Sequence, residues 1–130
     1  PCTRLVEKLT GAVVWTRNIF EGTGSKNLTW GKSCAPLLHG EHVIVTSGNK
    51  GPSLIAFHRD TGKPAWQAGT EVPGYSSPLI LTLAGREQIA CVNQTSVTGH
   101  DPANGKVLWT FPWPGSIAKV SQPIPAGPDR

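Results

Sequence analysis

The side chains that could do chemistry in this chain are few, and they lie far apart along the sequence. His39 and His42 flank a short polar turn and could together bind a metal ion, but histidines exposed on a hairpin usually bind none. Cys2, Cys34 and Cys91 are widely separated and form no Cys-x-x-Cys pair. Because structural zinc sites need closely spaced cysteines and histidines, we predict no metal site.

The other histidines and the two later cysteines are predicted to be structural. Cys34 and Cys91 each lie in an apolar stretch typical of a strand, which predicts two buried free thiols. His58 and His100 fall one position apart when two related segments are aligned, so their side chains should point to opposite faces of their strands. These residues are therefore not expected to form a reactive cluster.

No arrangement typical of nucleophilic catalysis is present in the sequence. There is no Ser/His/Asp motif and no Cys/His motif. Two of the mid-chain carboxylates, Asp60 and Asp101, belong to turns of a repeated segment. The mid-chain carboxylates are Glu21, Glu41, Asp60, Glu71, Glu87 and Asp101. We therefore predict no catalytic residue among these 130 positions.

The composition argues against several classes of protein. The net charge is +4, but the basic residues are spread singly, unlike a nucleic-acid-binding surface. No apolar run approaches the ~20 residues that a membrane-spanning helix needs. The 15 glycines and 12 prolines disfavour a helical bundle and favour short strands with many turns. Because the sequence contains no methionine, we expect it to be an internal part of a longer protein.

A segment ending in tryptophan occurs three times, at 6–15, 57–66 and 100–109. Each copy has Thr or Asn, then Gly, then three residues, then Trp. A second landmark, a serine followed by proline after one or two residues, recurs with a similar period at 33–36, 76–78 and 121–123. Two landmarks with one period of about 40–50 residues indicate a structural repeat. The glycines and tryptophans of the three copies are Gly11, Gly62, Gly105, Trp15, Trp66 and Trp109.

One repeat unit contains four short apolar stretches separated by turns. In the second unit they are 37–38, 42–46, 54–57 and 63–68, and the third unit repeats the order. Four short antiparallel strands per unit are typical of a propeller blade. We therefore predict an all-β fold, a partial β-propeller of four-stranded antiparallel blades. The predicted blades are 1–20 (the end of one), 32–69, 74–113 and 117–130 (the start of another).

The repeated motif resembles that of the pyrroloquinoline-quinone-like (PQQ-like) propeller family, Ala-x-Asp-x-x-Thr-Gly-Lys-x-x-Trp. The third copy is similar at Asp101, Gly105, Lys106 and Trp109. The second copy has His58 in place of the aspartate, and the first has Glu7 there and Ala12 in place of the lysine. The resemblance implies that these tryptophans are structural and dock each blade against its neighbour, with the glycines and Asp101 shaping the turns.

The resemblance leaves three functions open for the chain. The chain is most similar to bacterial outer-membrane-assembly propellers. This similarity implies a non-catalytic, protein-binding scaffold in the periplasm or cell envelope, without a cofactor. The alternative is part of a quinone-dependent alcohol or sugar dehydrogenase, which would bring pyrroloquinoline quinone and calcium. That alternative lacks the adjacent cysteine pair that those enzymes place against the cofactor. The third is a sensor propeller attached to a protein kinase.

The candidate partner-binding residues lie in two loops expected on one face of the propeller. Pro36 follows Trp15 by 21 positions, whereas the later copies of this connection are shorter. Long connections of this kind often carry binding residues. We expect a protein partner there, besides the remaining blades of the same protein. The candidate residues are Glu21, Lys26, Asn27, Trp30 and Lys50.

Overall fold

The computed structural model describes residues 2–7 and 9–127. Pro1 and Lys8 of the first predicted blade and residues 128–130 of the last therefore lie outside the described residues. The described residues form strands and turns without an α-helix. The strands are β1 (Cys2–Val6), β2 (Val13–Asn18), β3 (Leu37–His39), β4 (His42–Thr46), β5 (Leu54–His58), β6 (Pro64–Ala68), β7 (Leu79–Leu83), β8 (Arg86–Val92), β9 (Ser96–His100) and β10 (Val107–Pro112).

The strands form three antiparallel sheets, each made of consecutive strands. One sheet has the order β3-β4-β5-β6, a second has β7-β8-β9-β10, and β1 pairs with β2 in a two-stranded sheet. The prediction of an all-β partial propeller with four-stranded blades is confirmed. Within the described part of the chain, no helix is long and apolar enough to cross a membrane.

The three copies of the repeat have the same backbone turn. The N–H of Gly11, Gly62 or Gly105 donates to the carbonyl four residues earlier, at 2.8 Å in every copy. All three glycines have positive φ, at 73°, 65° and 76° respectively, which favours glycine over residues with a Cβ. In each hairpin the pairing register also shifts beside this turn. The sequence repeat is therefore a repeat of backbone geometry.

The core lies between the sheets, because the central strands are buried on both faces. Val43, Val45, Ile55 and Phe57 pack toward the β1-β2 sheet, where Trp15 and Ile19 complete the layer. The alternate residues of the same strands face the opposite way, and Ile44, Leu54 and Ala56 pack against Ile89 and Cys91 of the next blade. Side chains alternate across a strand, so an unbroken apolar run suits a strand with a neighbour on each face.

One segment differs from what the sequence predicts. Cys34 was expected to be a buried strand residue, but it is half-buried and lies before β3. The first strand of this blade, β3, begins only at Leu37. Cys91 is buried in β8 as predicted. Residues 113–127, which are all described, contain no strand. Part of this segment lies against the preceding blade, where the Lys119 carbonyl accepts the Tyr75 N–H at 2.8 Å.

Candidate functional site

Trp15 packs on the glycine turn of the next blade. It is 8% exposed, and its indole Nε1–H donates to the Arg59 carbonyl at 2.6 Å. A Cβ added to Gly62 would lie 2.6 Å from Trp15 Cδ2, so the indole rests directly on the glycine backbone. Arg17, two residues along β2, donates through Nε to the Gly62 carbonyl at 2.7 Å.

Trp66 makes the corresponding contact with the third blade. A Cβ on Gly105 would lie 2.5 Å from Trp66 Cε3, and it would also meet Ala68. Unlike that of Trp15, the indole nitrogen of Trp66 is buried without a hydrogen-bond partner within the described residues. The two contacts share their stacking geometry and differ in their hydrogen bond.

Trp109 lies over its own blade. Its Nε1–H donates to Gln88 Oε1 at 2.6 Å, and its indole covers Gly99 of the adjacent strand. Asp101, the turn carboxylate of this copy, accepts the Ala103 N–H at 2.9 Å through Oδ1. Its Oδ2 accepts from Arg86 at 2.6 Å. Asp101 therefore joins the β9-β10 turn to the start of β8.

The long connection after β2 is held against two blades. Lys26 and Asn49 exchange a pair of backbone hydrogen bonds, each 2.8 Å long. Leu28 is buried, and the backbone N–H of Trp30 donates to the Tyr75 hydroxyl at 3.3 Å. A loop of this length is thereby fixed at one end to the second blade and at the other to the third.

The five candidate partner-binding residues lie in this connection and in the loop after β4. Glu21, Lys26, Asn27, Trp30 and Lys50 are all exposed. The pairing of Lys26 with Asn49 brings the connection beside Lys50. Lys50 has a φ of 61° and lines a cavity of about 480 Å³ together with Thr23 and Thr70. Fixed loops that expose charged side chains are suited to binding.

A smaller cavity of about 210 Å³ lies farther along the same face. The rings of Trp30 and Tyr75 form one side, with centroids 5.5 Å apart and planes inclined at 46°. Gln94 and Thr95, in the turn between β8 and β9, form another side, and segment 115–118 closes it. The sequence analysis singled out Trp30 and missed Tyr75, which lies 45 positions away in a different connection.

Another cavity, of about 520 Å³, involves the hairpin turns at the other ends of the strands. His39 and His42 line it, and His39 Nε2 lies 3.7 Å from Glu87 Oε2 of the next blade. His42 faces His58 across the β4-β5 pair, with ring centroids 5.7 Å apart. Aligning the two strands would have shown this pair, which the sequence analysis missed. Among residues 2–7 and 9–127, no three His, Cys, Asp or Glu side chains are grouped to hold a metal ion.

Among the residues that the structure describes, burial changes the pKa of three titratable groups. Burial lowers the pKa of His100, although its hydrogen bond to the Gly105 carbonyl acts in the opposite direction. His100 Nδ1 is 2.8 Å from that carbonyl and therefore donates, which leaves Nε2 of the neutral ring to accept from Thr98. Burial raises the pKa of the Cys91 thiol to about 12 and lowers the pKa of Lys32, whose ammonium group binds Thr46. In all three groups burial disfavours the charged form, which is typical of residues in a structural interior.

Comparison with known proteins identifies the family. A search of curated proteins gave no match. A family model for PQQ-like repeats, described as outer membrane protein assembly factor BamB, matches residues 4–126. The match spans all three sheets and both complete blades. The chain therefore belongs to the PQQ-like repeat family of the outer membrane protein assembly factor BamB.

Proposed function

We propose that this chain is a non-catalytic scaffold that binds a protein partner in a bacterial cell envelope, in the periplasm. One observation carries the proposal: the connection after β2 is fixed to two blades and presents exposed charged side chains beside Lys50. A fixed loop loses little conformational entropy on binding. The family description, outer membrane protein assembly factor, supports the cellular location.

The charges on this face indicate the kind of surface that it would bind. Lys26 and Lys50 are both exposed and are brought close by the pairing of Lys26 with Asn49. An acidic patch on the partner would complement them, and its attraction would weaken as salt is added because exposed charges are screened. Glu21 in the same connection would contribute to orientation by repelling misplaced acidic groups.

Site-specific crosslinking tests this function. A photoreactive residue at Asn27 of the full chain, irradiated in envelope fractions, should give one dominant protein adduct. The double variant Lys26→Glu/Lys50→Glu should abolish that adduct, because it turns the lysine pair into a repulsive one. The matched control, Lys63→Glu/Lys106→Glu, makes the same change of charge in exposed turns elsewhere and should keep the adduct. An adduct that survives the first double variant contradicts the proposal.

The proposal includes no cofactor and no catalytic residue. Titration of the full chain with pyrroloquinoline quinone and calcium, followed by quinone absorbance and by dye-linked alcohol or sugar oxidation, tests this part separately. We expect neither stoichiometric binding nor turnover. Stoichiometric binding with turnover would replace the scaffold with a dehydrogenase.

We further propose that Trp15 and Trp66 join each blade to the next, which keeps the binding loops in register. The support is geometric: each indole lies on the turn glycine of the following blade, Gly62 or Gly105. Burying an aromatic ring of this size is among the larger single contributions to packing. The spacing between the Lys26 loop and the Tyr75 loop depends on this contact between blades.

A further inference from the structure

The cavity between Trp30 and Tyr75 combines an exposed aromatic face with hydrogen-bonding groups. Trp30 is 74% exposed, unusual for so large an apolar side chain, although its ring stacks at an angle on Tyr75. The aromatic face of tryptophan carries partial negative charge, and weakly positive C–H groups pack against it. The exposed face of Trp30 is therefore a ready surface for a ligand rich in C–H groups.

The rest of the lining combines polar side chains with Gly115, Ile117 and Ala118, and it carries no formal charge. Thr29, Gln94, Thr95 and Ser116 supply hydroxyl and amide groups, and no lysine, arginine, aspartate or glutamate lines the cavity. The Tyr75 hydroxyl accepts a hydrogen bond from the backbone N–H of Trp30, so its own proton remains available for donation to a ligand. Donors and acceptors without a charged group favour a neutral ligand that has many hydroxyls.

The cavity walls are held by backbone hydrogen bonds. The Gln94 N–H donates to the Val72 carbonyl, and the Trp113 N–H donates to the Thr95 carbonyl, both at 2.9 Å. With the bond from the Trp30 backbone N–H to the Tyr75 hydroxyl, the four segments around the cavity are joined to one another before a ligand arrives. Fixed polar groups lower the entropic cost of binding.

The size of the cavity limits what can fill it. Its volume of about 210 Å³ is below the range typical of sites for drug-sized molecules. It therefore suits one small ring, with the remainder of a larger ligand lying outside. A proline-rich peptide would instead need several aromatic side chains along an extended groove, and this cavity has a single pair.

We propose that this cavity binds a neutral carbohydrate, with one sugar ring stacked on Trp30 and its hydroxyls bonded to Tyr75, Gln94 and Thr95. The sugar C–H groups pack on the indole, while the amide and hydroxyl side chains bind the ring edge. The site shares the connection after β2 with the proposed scaffold surface, but it uses Trp30 and the Tyr75 loop rather than Lys26 and Lys50, so it does not depend on the proposed scaffold function.

Nuclear magnetic resonance of the full chain, labelled with ¹⁵N, tests the site at its own residue. Cellotriose and maltotriose are the neutral probes, at millimolar concentrations, and trigalacturonate is the charged comparison. At least one neutral probe should shift the Trp30 indole N–H signal with saturation, and trigalacturonate should bind more weakly. Followed at the Thr95 amide signal, which these variants keep, Trp30→Ala should weaken binding by about tenfold or more, and Trp30→Tyr should retain most of it.

Three controls separate binding from folding. Gln94→Ala, at an exposed turn position, should weaken binding and leave the other indole signals unchanged. Phe111→Ala, which removes another exposed aromatic ring, should bind as the unmodified chain does. Lys26→Glu/Lys50→Glu should also leave sugar binding unchanged. The proposal is overturned if neither neutral probe shifts the Trp30 signal, if Trp30→Ala binds equally well, or if trigalacturonate binds as tightly.

Discussion

Replacing Gly62 with alanine should separate the contact between blades from the strain of the turn itself. The new methyl group would lie 2.6 Å from Trp15 Cδ2, closer than atoms in contact can approach, so the indole must move. Its movement would break the hydrogen bond to the Arg59 carbonyl, and alanine at a φ of +65° adds backbone strain. Together these effects should lower the free energy of unfolding by about 3–5 kcal/mol.

Gly11→Ala is the matched control for Gly62→Ala. Gly11 occupies the same position in its repeat with a φ of +73°, but a Cβ there would meet no atom within 4 Å. Gly11→Ala should therefore lower the free energy of unfolding only through backbone strain, by about 1 kcal/mol. Urea denaturation followed by far-ultraviolet circular dichroism gives both values without relying on tryptophan fluorescence. Equal losses in the two variants would refute the contact, and so would a Gly62→Ala cost that remains undiminished in a Trp15→Ala background.

Three further predictions concern a buried base, a turn and the thiols. Burial lowers the pKa of the native His100 ring, whereas the ring in the unfolded chain takes up a proton below about pH 6.5. The free energy of unfolding should therefore decrease as the pH is lowered below that value. His100→Gln should remove this part of the pH dependence in urea titrations from neutral pH to about pH 5; an unchanged slope would contradict the assignment. Ala84 has a φ of 50° in a two-residue hairpin turn, so Ala84→Asn should raise the thermal midpoint through a gain of about 0.5 kcal/mol, and a loss would count against the turn geometry. In a Cys2→Ser background, iodoacetamide should modify half-buried Cys34 in the native chain but Cys91 only after unfolding, because the pKa of Cys91 is raised to about 12. Mass spectrometry showing equal modification of both thiols would be inconsistent with the burial of Cys91.

The sequence predicts the blades well because their signals are local. The stretches 42–46 and 54–57 are apolar runs bounded by turn residues, and both form strands at nearly those bounds. The Thr-Gly and Asn-Gly steps mark turns because the positive φ of Gly62 and Gly105 is a property of the local chain. Such features need no knowledge of what lies across the molecule.

The cavity at Trp30 could not be predicted, because it depends on residues distant in sequence. Trp30 and Tyr75 belong to different connections, and each connection is irregular, so no periodicity gives their relative position. Cys34 was misplaced for a related reason: the apolar run around it resembles a strand, but no neighbouring strand extends to pair with it. The His42–His58 pair could have been predicted, since strand register alone brings the two residues together.

The order of strands in the sheets has a consequence for how fast the chain folds. Each four-stranded sheet joins strands that follow one another in sequence, so most pairings close short loops. Closing short loops costs little chain entropy, and topologies dominated by near neighbours fold faster than other all-β topologies of equal size. A blade can therefore form while later residues are still being synthesised, and its open apolar face would then act as the template on which the next blade condenses.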